Sequence, residues 1–413
     1  MKLNRINGRE RNICLLLFLP AAIMGFFNFP AKYAIVSLLF VGTYAMYFSD
    51  RRFREIAFSF PMKVWLLLTV YHCINAYIKN VPGVDAIDFL HGMKIYACIV
   101  IFAYWARIDF KKTVSILILT YCIRCAVVLF LLLGIGSGVE TERLTGAGGS
   151  ATGLGQMAAM TATFLVYLNV FKRVPILKNI AILALPLTVV ALSQTRNALA
   201  MTMISVLAIS ILYVQTNNKV SFSKLIIGLV LFTIVAFVAL KALSGTAFEQ
   251  RFHSSFEDSY FYRNHATGTI FDKIVGDRLV YYVMGWSFFL QSPVTGIGMW
   301  NFKPMYGGVY PLHSEYMIHL CEGGLIGIGL WLLFLFCIFR IIFKYGCNMK
   351  FKIAAFSSMT VLLFCAIYAR EFYYETFYPV YGLILSFLFI SKDEHKKRQL
   401  LYKYNLRNNE KNI

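Results

Sequence analysis

The stretch His313-Ser314-Glu315-Tyr316-Met317-Ile318-His319-Leu320-Cys321-Glu322-Gly323-Gly324-Leu325-Ile326-Gly327 decides the fold. It closes the longest polar segment of the chain and opens an apolar helix expected to run to about Phe343. A polar set led by a histidine is thus put where a membrane helix meets water. Histidine exchanges a proton near neutral pH, and the glycines let another helix pack closely. The plain alternative is an interfacial histidine followed by an ordinary packing helix, and spacing alone does not separate the two.

Working outward, the same apolar pattern recurs along nearly the whole chain. The apolar fraction is 59%, the charged fraction 15% and the mean hydropathy +0.64. Apolar runs of roughly 17–25 residues match what a bilayer core of about 30 Å demands of a helix. The alternating ten-residue segments of a membrane barrel are missing. The fold expected is an all-α integral membrane protein of about twelve transmembrane helices. The spans fall near 13–29, 31–48, 62–78, 90–106, 113–136, 153–170, 177–193, 197–214, 224–243, 316–342, 352–369 and 374–391. Residues 1–413 then form a single polytopic domain, with one large loop, 244–315, between spans 9 and 10. The first run, 13–29, has no small-residue cleavage site and reads as a span rather than a signal peptide.

The net charge of +20 does not point to nucleic acid, because the basic residues sit in short loops between spans. With the N-terminus in the cytoplasm, inside segments carry 27 of the 40 Lys and Arg, and outside segments ten. That bias orients the bundle with both termini cytoplasmic. The basic tail after Ser391 anchors its end against anionic lipid. Nearly all nine cysteines lie inside apolar runs, so Cys122-Ile123-Arg124-Cys125 reads as buried packing rather than a metal or redox pair.

Polar residues gather on the outer side. Loop 138–152 holds Glu140, Glu142 and Arg143 among glycines suited to an irregular backbone. Ser193-Gln194-Thr195-Arg196-Asn197 is a tight turn that holds Arg196 at the interface. The large loop is rich in aromatics. Asp277 is an N-cap candidate there for an apolar helix over 278–290, expected to lie in or against the membrane surface. Ser292-Pro293-Val294-Thr295-Gly296-Ile297-Gly298 ends that helix with turn residues.

Arg196, Arg278 and His313 therefore converge on one membrane face from separate parts of the chain. Arginine forks recognise phosphate oxygens at two points, and a histidine beside them acts as general base or completes the cationic site. The natural target is a lipid-linked phosphate or diphosphate. There is no phosphate-binding loop of the nucleotide-hydrolase kind and no Asp-x-Asp pair, and Glu140-x-Glu142 is a weak outer pair. Fixed cations would then carry the leaving-group charge, Arg143 assisting.

These residues resemble the O-antigen ligase and O-antigen polymerase superfamily. His313-Ser314 followed by Glu322-Gly323-Gly324 and Gly327 is similar to its histidine–glutamate–glycine signature. Ser193-Gln194-Thr195-Arg196 is similar to its arginine turn, and Arg278…Trp286…Pro293-Val294-Thr295-Gly296-Ile297-Gly298 to its arginine–tryptophan–glycine segment. The asparagine-proline-asparagine often found near the position of Arg143 is absent, so Arg143 is carried over only loosely.

The resemblance implies an inverting, metal-independent glycosyltransferase of the GT-C type in the bacterial inner membrane. Its active site would be periplasmic, with no cofactor and no metal ligand. The donor would be an oligosaccharide on undecaprenyl diphosphate. Arg196 and Arg278 would hold the diphosphate, and His313 would activate the acceptor hydroxyl or support that site. Glu140, Glu142, Arg143, Ser314 and Glu315 are the candidate substrate contacts. Transfer to another lipid-linked repeat unit would make the protein a polymerase, and transfer to lipid A–core a ligase. A chain-length regulator protein counts among the expected partners, with the lipid bilayer. The rival class is a flippase for lipid-linked sugars. Lys94 and Arg124, charged residues within spans, keep it open.

Overall fold

A computed structural model of the chain describes residues 42–81, 86–134, 139–140, 143–144, 155–163, 165, 176–193, 198–205, 207–208, 279–306, 312–345, 349–368 and 378–411. These are almost entirely α-helical. The extended exception among them is a hairpin of two two-residue strands, β1 (Val139–Glu140) antiparallel to β2 (Arg143–Leu144).

The first helices show how local chemistry sets the ends. The Asp50 carboxylate accepts the Arg52 N–H at 2.7 Å and starts α1 (Arg51–Ala57), the usual use of a short acidic cap. Ser59 and Pro61 then open α2 (Phe60–Ile78), where the amide that proline lacks would have no helical partner. The two helices meet at a bend of 56°. Asp109 separates α3 (Ala86–Ile108) from α4 (Phe110–Gly134) and accepts the Lys112 N–H. After α5 (Ile176–Leu192) come the helical residues 198–205 and 207–208, then α6 (Leu279–Gln291) and the short α7 (Phe302–Met305). Next come a single turn, α8 (Glu315–Met317), and a π-helical turn over Ile318–Glu322. The long α9 (Gly324–Tyr345), α10 (Met349–Tyr368) and α11 (Tyr378–Lys411) complete the order.

The main core lies between α2, α3, α9 and α11. Trp65 meets Phe334 edge-on at 4.7 Å, and Phe334 meets Tyr381 at 5.4 Å. Gly382 lets α11 lie directly on α3, since a Cβ there would fall 2.6 Å from the Phe102 Cβ and 2.7 Å from the Ile99 carbonyl oxygen. Such small-residue contact is how helices associate where lipid removes the hydrophobic incentive. A second cluster joins Tyr281, Phe288, Ile297, Phe302, Leu312 and Cys321 to Ala76 and Val81 at the end of α2.

α9 is the described helix long and apolar enough to cross a membrane, and α1 with α2 makes a second if the bent pair is one span. One face of α9 buries Trp331, Phe334 and Ile338, while Leu325, Leu332, Phe336 and Phe343 point outward. An apolar exposed face of that length suits acyl chains and supports a membrane-associated protein. Other expected spans are helical too (α3, α4, α5, α10 and α11), whereas 13–29 and 224–243 lie outside the described residues.

Two expectations change. The helix predicted to run unbroken to Phe343 is interrupted at Gly323–Gly324, where Gly324 has φ +65°. The span expected to end near 391 continues as a helix to Lys411.

Candidate functional site

The break before α9 is filled by backbone. The 292–298 turn docks into it with four main-chain hydrogen bonds. Ile297 N donates to Cys321 O and Gly298 N to Glu322 O. In return, Leu325 N donates to Pro293 O and Ile326 N to Val294 O. Gly296 (φ +74°) and Gly324 are required here. A Cβ on either would collide with the main chain of the other's segment, at Glu322 and Val294 respectively. The turn residues and the glycine pair of the sequence are thus two halves of one joint.

α2 seals the joint from the side. The Tyr71 hydroxyl reaches Gly323 O at 2.7 Å and Thr295 O at 3.0 Å. The Asn75 amide donates to Thr295 O at 2.7 Å and to Glu322 O at 3.2 Å. Gly323 O and Glu322 O also accept the Gly327 and Gly298 N–H groups, so α2 adds a second donor to each, and it supplies two donors to Thr295 O of the turn. Glu322 is itself fully buried, and its Oε1 accepts the Phe302 N–H at the start of α7.

One turn away runs a string of buried titratable groups. Glu315 Oε1 lies 3.0 Å from His319 Nε2, and His319 Nδ1 lies 3.1 Å from His72 Nε2. All three side chains are at most 3% exposed. Trp331 stacks on the His319 ring at 5.1 Å. His72 Nδ1 has no hydrogen-bond partner among the described residues. With Glu315 ionised, His319 Nε2 carries a hydrogen. His319 Nδ1 then either accepts from His72 or, as an imidazolium, donates to it.

His313 stands just before this string, half-buried, with its ring 5.4 Å from that of Tyr281. Ser314 is buried and caps α8. Its Oγ lies 3.0 Å from the Tyr282 hydroxyl, which donates to Ile367 O. Ser314 therefore ties the turn to α6 and to the end of α10 rather than facing outward. Glu315, expected as a substrate contact, is likewise turned inward onto His319.

Glu140 and Arg143 face each other across the β1–β2 register. Arg196, Arg278, Glu142 and Asp277 lie outside the described residues. Lys94 is almost wholly buried on α3. Cys122 and Cys125 are unbridged, the latter fully buried. Among the described residues, no group of three or more His, Cys, Asp or Glu side chains is arranged to hold a metal ion.

Sequence reasoning missed His72, Tyr71 and Asn75. Their partners lie more than 200 residues away. The available signal was that they are polar residues within an apolar span, the rule applied to Lys94. His319 was legible as the i+4 neighbour of Glu315.

Fold and site define an α-helical, membrane-associated protein with buried polar chemistry at the entrance to a long apolar helix. Residues 181–332 match the family described as O-antigen ligase. That match supports membership in the O-antigen ligase and polymerase superfamily, and it agrees with a transferase-type enzyme. The matched segment takes in Arg196, Arg278, the 292–298 turn and the whole of 313–327. No curated protein matches the chain.

Proposed function

We propose that the protein is a surface-polysaccharide polymerase, joining a glycan carried on undecaprenyl diphosphate to another lipid-linked repeat unit. The observation that carries this reading is His313. It is half-buried on a turn held by Ser314 and Glu315, at the head of the apolar α9 and within the family-matched segment. Lipid-linked diphosphates present their heads at that kind of boundary. The chain would span the inner membrane about twelve times, with both termini cytoplasmic and the site periplasmic.

In the reaction the acceptor hydroxyl oxygen attacks the anomeric carbon as the bond to the diphosphate oxygen breaks. The hydroxyl proton passes to His313, and the diphosphate leaves on its lipid with its charge met by Arg196 and Arg278. A single displacement inverts the anomeric centre. Arg143, Glu140 and Glu142 would contact the sugar or diphosphate from the 138–152 segment. Ser314 and Glu315, turned inward, serve by holding His313.

Reconstitution tests the reading. Purified protein in vesicles is given one synthetic undecaprenyl-diphosphate repeat unit, with and without lipid A–core. A ladder from the repeat unit alone is the expected result. Product that requires lipid A–core would make the protein a ligase instead. Lipid crossing the bilayer without any transfer would replace the enzyme reading with a flippase.

A further inference from the structure

His72, His319 and Glu315 form a buried polar string that packing alone does not require. Three titratable side chains lie at most 3% exposed in a helical core that leucines would fill at less cost. The surroundings are shaped to the His72 ring. A Cβ on Gly323 would lie 2.7 Å from His72 Cε1, and one on Gly327 would lie 3.3 Å from it. Both glycines therefore admit an imidazole from α2, and His319 meets it at 3.1 Å. The Trp331 ring covers the other partner, His319.

The string ends on the turn that carries His313. Glu315 is two residues on, and its carboxylate is held by His319 one helical turn below. Ser314, between them, is fastened to Tyr282 from α6. His313 thus sits on a short turn clamped on one side by a hydroxyl pair and on the other by the Glu315–His319–His72 string. Residues 312–314, which carry His313, are irregular.

We infer that His319 and His72 are positioning residues for the transfer, acting through Glu315 on the turn that presents His313. This rests on the transferase reading above. The donor that matters is the His319 Nε2–H, which fixes the carboxylate. The contact to His72 fixes the plane of the His319 ring and so aims that hydrogen. Neither imidazole touches substrate.

The test compares His319→Leu, His319→Gln and His72→Phe with the parent protein in vesicles. Each is assayed with the lipid-linked repeat unit. In parallel, His313 acylation by diethyl pyrocarbonate is followed by mass spectrometry of its peptide. His319→Leu should lower kcat by about 30-fold or more per folded molecule, with KM changed less than about 3-fold. Its His313 acylation rate should shift several-fold. His319→Gln keeps an N–H for Glu315 and should return both readouts to within about 3-fold of the parent. Parental kcat and acylation in His319→Leu, or a glutamine variant no better than leucine, would overturn the inference. If His319→Leu does not fold, His72→Phe decides. It keeps the ring volume and should still lose about 5- to 10-fold in kcat and move the acylation rate, and parental values in both would overturn the inference. A parent protein that makes no product would sink the transferase reading, while the acylation comparison would still decide the positioning role.

Discussion

The two ends of α2 hold polar networks of opposite kinds. Near its start, Arg107 of α3 donates to both Asp393 oxygens of α11 and to Glu55 of α1, at 2.8–2.9 Å. Tyr104 donates to Asp50. The acids are partly exposed, and Arg107 lies over the Phe389 ring. Near the other end, Tyr71, His72 and Asn75 meet main-chain carbonyls and a buried imidazole. Full charges tie elements together where water can still reach them. Hydroxyl, amide and imidazole groups do so where it cannot, because an unpaired charge there would cost far more. The first network is an anchor, and the second is a joint beside candidate chemistry.

That contrast can be broken at several points. The largest effect should come from the arginines proposed to hold the diphosphate. Arg278→Ala should reduce transfer by about 10²- to 10³-fold with folded protein still in the membrane, as read by surface glycan on a gel. Normal glycan would remove Arg278 from its role. Next comes the joint itself. Gly324→Ala places a Cβ against Val294 O at φ +65°, and should destabilise the protein by about 2–4 kcal/mol in a thermal melt of the purified protein. An unchanged melt would mean that the turn does not dock as described.

Asn75→Leu removes one of the two donors to each of Thr295 O and Glu322 O. It should cost about 0.5–1.5 kcal/mol, and added salt should not change that loss. The smallest effect belongs to the charged end. Arg51→Ala removes an exposed i,i+4 pair with Glu55, worth about 0.3–0.5 kcal/mol and screened by salt. A salt-sensitive Asn75 variant beside a salt-insensitive Arg51 variant would reverse the distinction.

Much of this was legible in the sequence. The apolar run of α9, the helix after Arg278 and the turn at 292–298 follow from periodicity and turn chemistry, and α6, described over Leu279–Gln291, lies within a residue of its expected bounds. The break was not legible, because Gly323-Gly324 reads equally well as a packing surface. What opens it is the docking of a segment 24 to 32 residues upstream, a tertiary event without a local trace. Ser314 and Glu315 were legible as polar residues near the site, but their inward orientation depends on Tyr282 and His319. His72 was hidden because a lone polar residue in an apolar span acquires meaning only from its partner.

The most direct test sets His313→Ala beside Arg107→Ala in the same reconstituted vesicles, with transfer from undecaprenyl diphosphate measured per folded molecule. The account predicts a loss of about 10²-fold or more for His313→Ala and a change of less than about 3-fold for Arg107→Ala. Equal losses, or full activity without His313, would contradict it.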